Sequence, residues 1–246
     1  MKKSYLILLF YATLPLIGWS QELITPKKNL VDKKWFHNQN YQMEWTMLRD
    51  TSKFTIGFVN TKVEVLADKI QVITTVKMKS SPSPWIDSTI VKKTDLSPVY
   101  HASYNAQRDM LLHFGAEIKG FYQDKISGKK TEIAQNAAAG YFDSNFYPML
   151  INWLPLKTGY KADLNIFDYN PKGKTGVIKA HILNVSEGKY HSKKLGDRKV
   201  WIVEASDEIS SADGKSVYQI DQITRQLYQQ RITMGNRIMK MTLVEP

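Results

Sequence analysis

Apolar and polar residues alternate along most of this chain. From Tyr41 the apolar positions fall at Tyr41, Met43, Trp45 and Met47, and a second clear run sets Ile70, Val72, Thr74, Val76 and Met78 on one face. A period of two is that of a half-buried β-strand, whose successive side chains point to opposite faces of a sheet. Further strands are predicted over 61–66, 88–93, 99–106, 110–114, 118–125 and 131–134, then over 162–167, 176–185, 200–206, 216–220, 226–234 and 238–244. Turn chemistry separates them at Ser80-Ser81-Pro82-Ser83-Pro84, at 95–98, at Ser127-Gly128, at Asn170-Pro171-Lys172-Gly173 and at Ser186-Glu187-Gly188. Asp213-Gly214 and Gly235-Asn236 are compact hairpin signals. Successive hairpins favour an antiparallel meander, and a long meander curls. The fold class expected is mainly β: a single curved antiparallel β-roll or half-open barrel.

The period changes once. Asp143, Ser144 and Asn145 offer N-cap side chains ahead of Phe146, Met149, Leu150, Trp153 and Leu154, which follow helical spacing. Pro148 falls in the first turn, where a missing N–H costs little, and Pro155 with Gly159 ends the segment. One principal helix is therefore predicted over about 143–154, between two β-rich halves of a domain spanning 41–246, with one apolar face packed on a sheet. The halves echo each other: a strand and Asp95 precede Leu96-Ser97-Pro98-Val99-Tyr100, and a strand and Asp221 precede Ile223-Thr224-Arg225-Gln226-Leu227-Tyr228.

The ends and the charge set the address. Lys2 and Lys3 precede an almost wholly apolar stretch from Tyr5 to Ile17, and Gly18 and Ser20 place small residues before the Ser20/Gln21 bond. That is the pattern of a cleavable secretory signal peptide over 1–20, shorter than the roughly 20 apolar residues of a membrane-spanning helix. Residues 21–40 read as a lead-in arm. The chain has no cysteine, so neither a lipid-anchoring thiol nor a disulfide is available, and the exported domain must be held by its core. No later segment is apolar enough to span a membrane as a helix. The location expected is the periplasm or the medium. A formal charge of +11 is lowered little by loss of the leader. Much of it sits in lysine doublets at Lys27/Lys28, Lys33/Lys34, Lys92/Lys93, Lys129/Lys130 and Lys193/Lys194, which suits protection of strand edges. Export argues against nucleic acid as a partner.

In order and spacing, the stretch from about Ser88 to the C-terminus resembles an exported bacterial family of unknown function with a YmcC-like spiral β-roll. The likeness is carried by Asp143-Ser144-Asn145-Phe146-Tyr147 leading to Leu154-Pro155-Leu156-Lys157-Thr158-Gly159-Tyr160. A Glu187-Gly188-Lys189-Tyr190 turn, the strand from Arg198 to Ala205 and the Tyr218-Gln219-Ile220-Asp221 hairpin follow in order. The resemblance implies an envelope protein similar in architecture to the lipoprotein carriers LolA and LolB, in which a curved sheet wraps an apolar cavity closed by helices. It names no reaction.

Candidate chemistry is sparse. The histidines at 37, 101, 113, 181 and 191 are scattered singly without metal-ligand spacing, there is no Gly-x-Ser-x-Gly elbow, and glycine-rich phosphate loops are absent. Neither a metal nor a cofactor is expected. Asp207 and Glu208 are neighbours on a strand and point to opposite faces, so they are not a catalytic carboxylate pair by themselves. In Tyr100-His101-Ala102-Ser103-Tyr104-Asn105, alternation puts His101, Ser103 and Asn105 on one face, read as a solvent-facing polar row over a buried aromatic one. The remaining signal is the aromatic load, since a curled sheet that does not close leaves an apolar concavity suited to a lipidic ligand. Tyr141, Phe142, Phe146 and Trp153, with Tyr100 and Tyr104, are the candidate lining residues. The function expected is that of an exported, non-catalytic envelope protein binding a lipid, acyl glycan or other apolar or amphipathic ligand. The alternatives are a structural or interaction module docking on an envelope protein partner and, less favoured, a glycan hydrolase. The mature chain isolated from its native host should begin at Gln21 by intact-mass measurement; a chain that retains Met1 would refute the cleavage.

Overall fold

The computed structural model describes residues 22–49, 52–137, 140–209 and 214–245. The expected signal peptide lies outside the described residues. Alternation and turn residues produce, in chain order, β1 (Glu22–Ile24), two short 3-10 turns (Pro26–Lys28 and Lys33–Trp35), β2 (Gln39–Arg49), β3 (Ser52–Val65), β4 (Lys69–Met78), β5 (Trp85–Lys92), β6 (Pro98–Tyr104), β7 (Arg108–His113), β8 (Ile118–Asp124) and β9 (Lys130–Gln135). Then follow β10 (Phe142–Asp143), α1 (Tyr147–Trp153), β11 (Ala162–Asp168), β12 (Gly176–Ser192), β13 (Gly196–Asp207), β14 (Lys215–Asp221), β15 (Leu227–Met234) and β16 (Arg237–Leu243).

All sixteen strands belong to one sheet, ordered β1-β11-β12-β13-β14-β15-β16-β2-β3-β4-β5-β6-β7-β8-β9, with β10 beside β11. Two meanders, β11 to β16 and β2 to β9, are joined along an antiparallel seam in which Met241 of β16 stands opposite Trp45 of β2. β1 and β10 pair β11 in parallel, side by side along the edge that β12 leaves open. The sheet is curved, and its two ends, β1 with β10 and β9, are not joined, so the roll is open.

Hairpin turns of one construction recur. Lys92 N–H donates to Ser97 O and Leu96 N–H to Lys92 O; Asp221 N–H donates to Gln226 O and Arg225 N–H to Asp221 O. Leu96 and Arg225 have φ of 63° and 61°, a left-handed conformation that costs a residue bearing a Cβ. Both hairpins slip register at the same place, between Ile90 and Val91 and between Gln219 and Ile220. The echo between the halves is therefore real at this turn, but its frame differs from the sequence reading: Asp221 corresponds to Lys92, not to Asp95, because the left-handed residue sets the alignment.

The helix is shorter than the 143–154 segment that predicts it. Asp143 belongs to β10, and Phe146 stands at the N-cap without a side-chain cap. Tyr147, Met149, Leu150, Ile151, Asn152 and Trp153 are all buried, so α1 is covered nearly all round rather than along one face, as befits a helix inside the curl rather than on it. Its residues pack with Ile24, Ile70, Leu164, Ile182, Val203 and Ile220 from both meanders. The lead-in arm joins this core: Phe36 meets Trp153 with ring centroids 4.8 Å apart. The Ser186-Glu187-Gly188 separator is not a turn either. It lies within β12, where a Cβ on Gly188 would stand 2.5 Å from Ile202 Cδ1, so the glycine makes room for a side chain of the neighbouring strand.

Trp153, wholly buried, should cost about 3–5 kcal/mol on replacement by alanine. Tyr104→Ala, on an exposed position, should stay within about 0.5 kcal/mol. Urea unfolding of the two variants checks the contrast.

Candidate functional site

The inner face of the second meander carries an unbroken row of side chains. Tyr41, Thr61, Thr74, Asp87, Ser103, Met110 and Tyr122 stand opposite one another in turn across β2 to β8. A second row, Met43, Val59, Val76 and Trp85, runs beside it. Three adjoining hollows follow these rows, and Trp85 lines all three. The first, about 230 Å³, is an apolar chamber between β2–β4 and α1, walled by Tyr41, Met43, Trp45, Val59, Val72 and Met149 among others. The second, about 200 Å³, is polar and takes in Asp87, His101, Arg108, Ser144, Asn145 and Asp168. The third, about 650 Å³, opens beyond Arg108 between the 80–83 turn and Lys172.

Register explains the polar hollow. Thr89 stands opposite His101, one step along from Asp87 and Ser103, so β5 and β6 present four polar side chains inward, all buried. Asp143, at the end of β10, meets them: Oδ1 lies 3.0 Å from His101 Nδ1, Oδ2 accepts from Thr89 Oγ1 at 3.0 Å, and Oδ1 also accepts from Asn145 N–H at 3.1 Å. Asn145 Nδ2 donates to Thr89 Oγ1 at 3.0 Å, and Ser144 Oγ donates to Asp168 Oδ1 at 2.7 Å. Trp85 Nε1 donates to Asp87 Oδ1 at 2.8 Å and lies 3.1 Å from Ser103 Oγ, which also accepts from Arg108 Nη2 at 3.2 Å.

Burial and charge pull against each other here. Burial by itself would lower the His101 pKa, but the Asp143 carboxylate outweighs it and holds the imidazole above its ordinary value. Burial raises Asp87 against hydrogen bonds from Ser103 and Trp85. It raises Asp168 too, where the neighbouring Asp143 charge adds to the effect. Trp45 and Asn152, which line the apolar chamber, and Arg108, which lines the polar hollow, each keep one buried polar atom (Nε1, Oδ1 and Nε) without a hydrogen-bond partner among the described residues. Among the described residues no group of three or more His, Asp or Glu is placed to hold a metal.

The six aromatic residues singled out from sequence lie elsewhere. Phe142, Phe146 and Trp153 are wholly buried in the main core. Tyr141 packs in a second cluster, its ring 5.5 Å from that of Phe167. Tyr100 is half-buried against His113, and Tyr104 is exposed. None of them lines the three hollows. The reading of β6 is also inverted: His101 and Ser103 face in and the tyrosines face out, because β6 turns its polar row toward Asp143 and Trp85. Alternation shows which residues share a face and not which face is the inner one. The hollows are lined instead by Trp45 and Trp85, and by Tyr41, Met43 and Val72, which stand at alternating positions of the predicted strands.

A family model described as a protein of unknown function, DUF3108, matches residues 40–243. No curated protein matches the chain. Among solved structures it is similar to a β-barrel-like protein of the domain of unknown function DUF1849 from Brucella abortus, with a TM-score of 0.54 and 11% identity over 88% of this chain and 97% of that one. At that identity the likeness concerns the fold.

His101, with its pKa raised by folding, contributes stability that is complete below about 6.5, the value of the unfolded chain, and that is lost as pH rises through the folded pKa. Asp143→Asn removes the charge responsible. NMR titration should place His101 above 6.5 in the parent and lower in the variant; an unchanged midpoint would remove Asp143 as the cause.

Proposed function

We propose, from the premise that the chain belongs to the DUF3108 family, that it is an exported, non-catalytic binding module that takes an amphipathic ligand into the hollows of its roll. The observation that carries this reading is a mostly apolar chamber of about 230 Å³ that adjoins a polar hollow and shares Trp85, Asp87 and Asn145 with it. An occupant with an apolar body and a hydrogen-bonding head matches that pair of surfaces. The adjoining polar hollow then receives its head. The expected likeness to LolA-type carriers, and the export pattern of residues 1–20, support the same reading.

Catalysis is the weaker reading because the two serines of the polar hollow are committed. Ser103 Oγ takes hydrogen bonds from Trp85 and Arg108, and Ser144 Oγ is turned to Asp168, which leaves the His101–Asp143 pair without a serine nucleophile at hand.

Gentle purification from the native host, organic extraction and mass spectrometry should recover an amphiphile in stoichiometric amount. Val72→Phe, which places a ring in the chamber at an overpacking cost of about 1–3 kcal/mol, should abolish that load while the circular dichroism of the folded sheet is kept. A parent protein free of any extractable ligand, or an equal load on the variant, would refute the proposal.

A further inference from the structure

The polar hollow next to the apolar chamber has a definite charge balance, and we propose that it selects a neutral hydroxylated head, a sugar or polyol, carried on an alkyl or acyl tail. The inference rests on the binding reading above and narrows it to one class of ligand. Asp87, Asp143 and Asp168 share the neighbourhood of Arg108 and His101, so carboxylates already outnumber cations. An entering carboxylate or phosphate would face them at low dielectric, where like charges repel strongly. An entering ammonium would have to share the place beside Ser103 and Trp85 that the Arg108 guanidinium already holds. Arg108 is no free anion clamp: Nη2 is spent on Ser103, and its guanidinium carbon sits 5.9 Å from the Trp85 ring centroid.

A neutral polyol leaves this balance intact and supplies what the hollow lacks. Its O–H groups donate to the Asp87 and Asp168 carboxylates that line the hollow. Trp85 provides the other half of sugar recognition. Its indole N–H is fixed by Asp87 and Ser103, so a flat apolar ring is held rigidly beside hydrogen-bonding side chains, matching a sugar ring with apolar C–H faces and a hydroxylated rim. Because Trp85 also lines the apolar chamber, head and tail would lie on either side of one side chain.

The test compares three probes with the same eight-carbon tail, octyl β-D-glucoside, octanoate and octylamine. Each is titrated calorimetrically into the purified protein at pH 7, below the concentration at which it forms micelles. The glucoside should bind about tenfold more tightly than either charged probe, the worth of one or two well-made hydrogen bonds. Trp85→Ala should erase that preference, glucoside affinity falling further than octanoate affinity, whereas Trp85→Phe, which keeps a ring, should retain most of it. Equal binding of the three probes, or tighter binding of octanoate or octylamine, overturns the head-group assignment and leaves the chamber reading standing. Failure of all three to bind overturns both. The comparison on the unaltered protein decides the matter even where a Trp85 variant does not fold.

Discussion

One buried carboxylate organises the interior. Asp143 is wholly buried and accepts hydrogen bonds from Thr89 of β5 and the backbone of Asn145 while facing His101 of β6. It stands at the point where the chain leaves the edge of β11 and turns into α1, so it ties the start of the helix to the inner face of the opposite meander. A buried ion pair contributes little net stability, but breaking one by removing a partner costs about 3–5 kcal/mol. What the pair supplies is position: it holds α1 within the curl, and the helix then divides the interior into a packed core and the chamber beside it.

The two sides of that helix differ in kind. Trp153, Phe146 and Leu150 share one fully buried cluster with Ile24, Leu164 and Ile182. Met149 and Asn152, one turn apart, look onto Tyr41, Trp45 and Val72 across empty space. A flexible thioether at that boundary is a poor choice for a solid core and a suitable one for a surface that must accept another molecule.

The period-two pattern was sufficient to locate nearly every strand of both meanders, because strand alternation and turn chemistry are local properties. It did not reach β1 and β10, whose two or three residues owe their extended form to pairing with β11 rather than to any pattern of their own. Nor could it give the inner face of β6. His101 and Ser103 look like surface residues until Asp143, some forty positions later, is brought against them. The aromatic residues nearest the helix suggested a cavity wall by their number, yet in a seven-residue helix covered nearly all round the largest side chains are the ones that fill space. The lining fell to valines and methionines that a sequence reader assigns to ordinary core.

The seam between β16 and β2 bears on the timing of folding. Thr46 Oγ1 donates to the carbonyl of Lys240, 194 positions later, and β2 is the strand from which the whole second meander hangs. The meander from β2 to β9 therefore has an unpaired flank until β16 has been made and has docked. Contacts of such long sequence separation slow the final step and expose strand edges meanwhile. Until β16 is in place the free edge of β2 is open to pairing with strands of other chains, so closure of the seam also removes a route to aggregation.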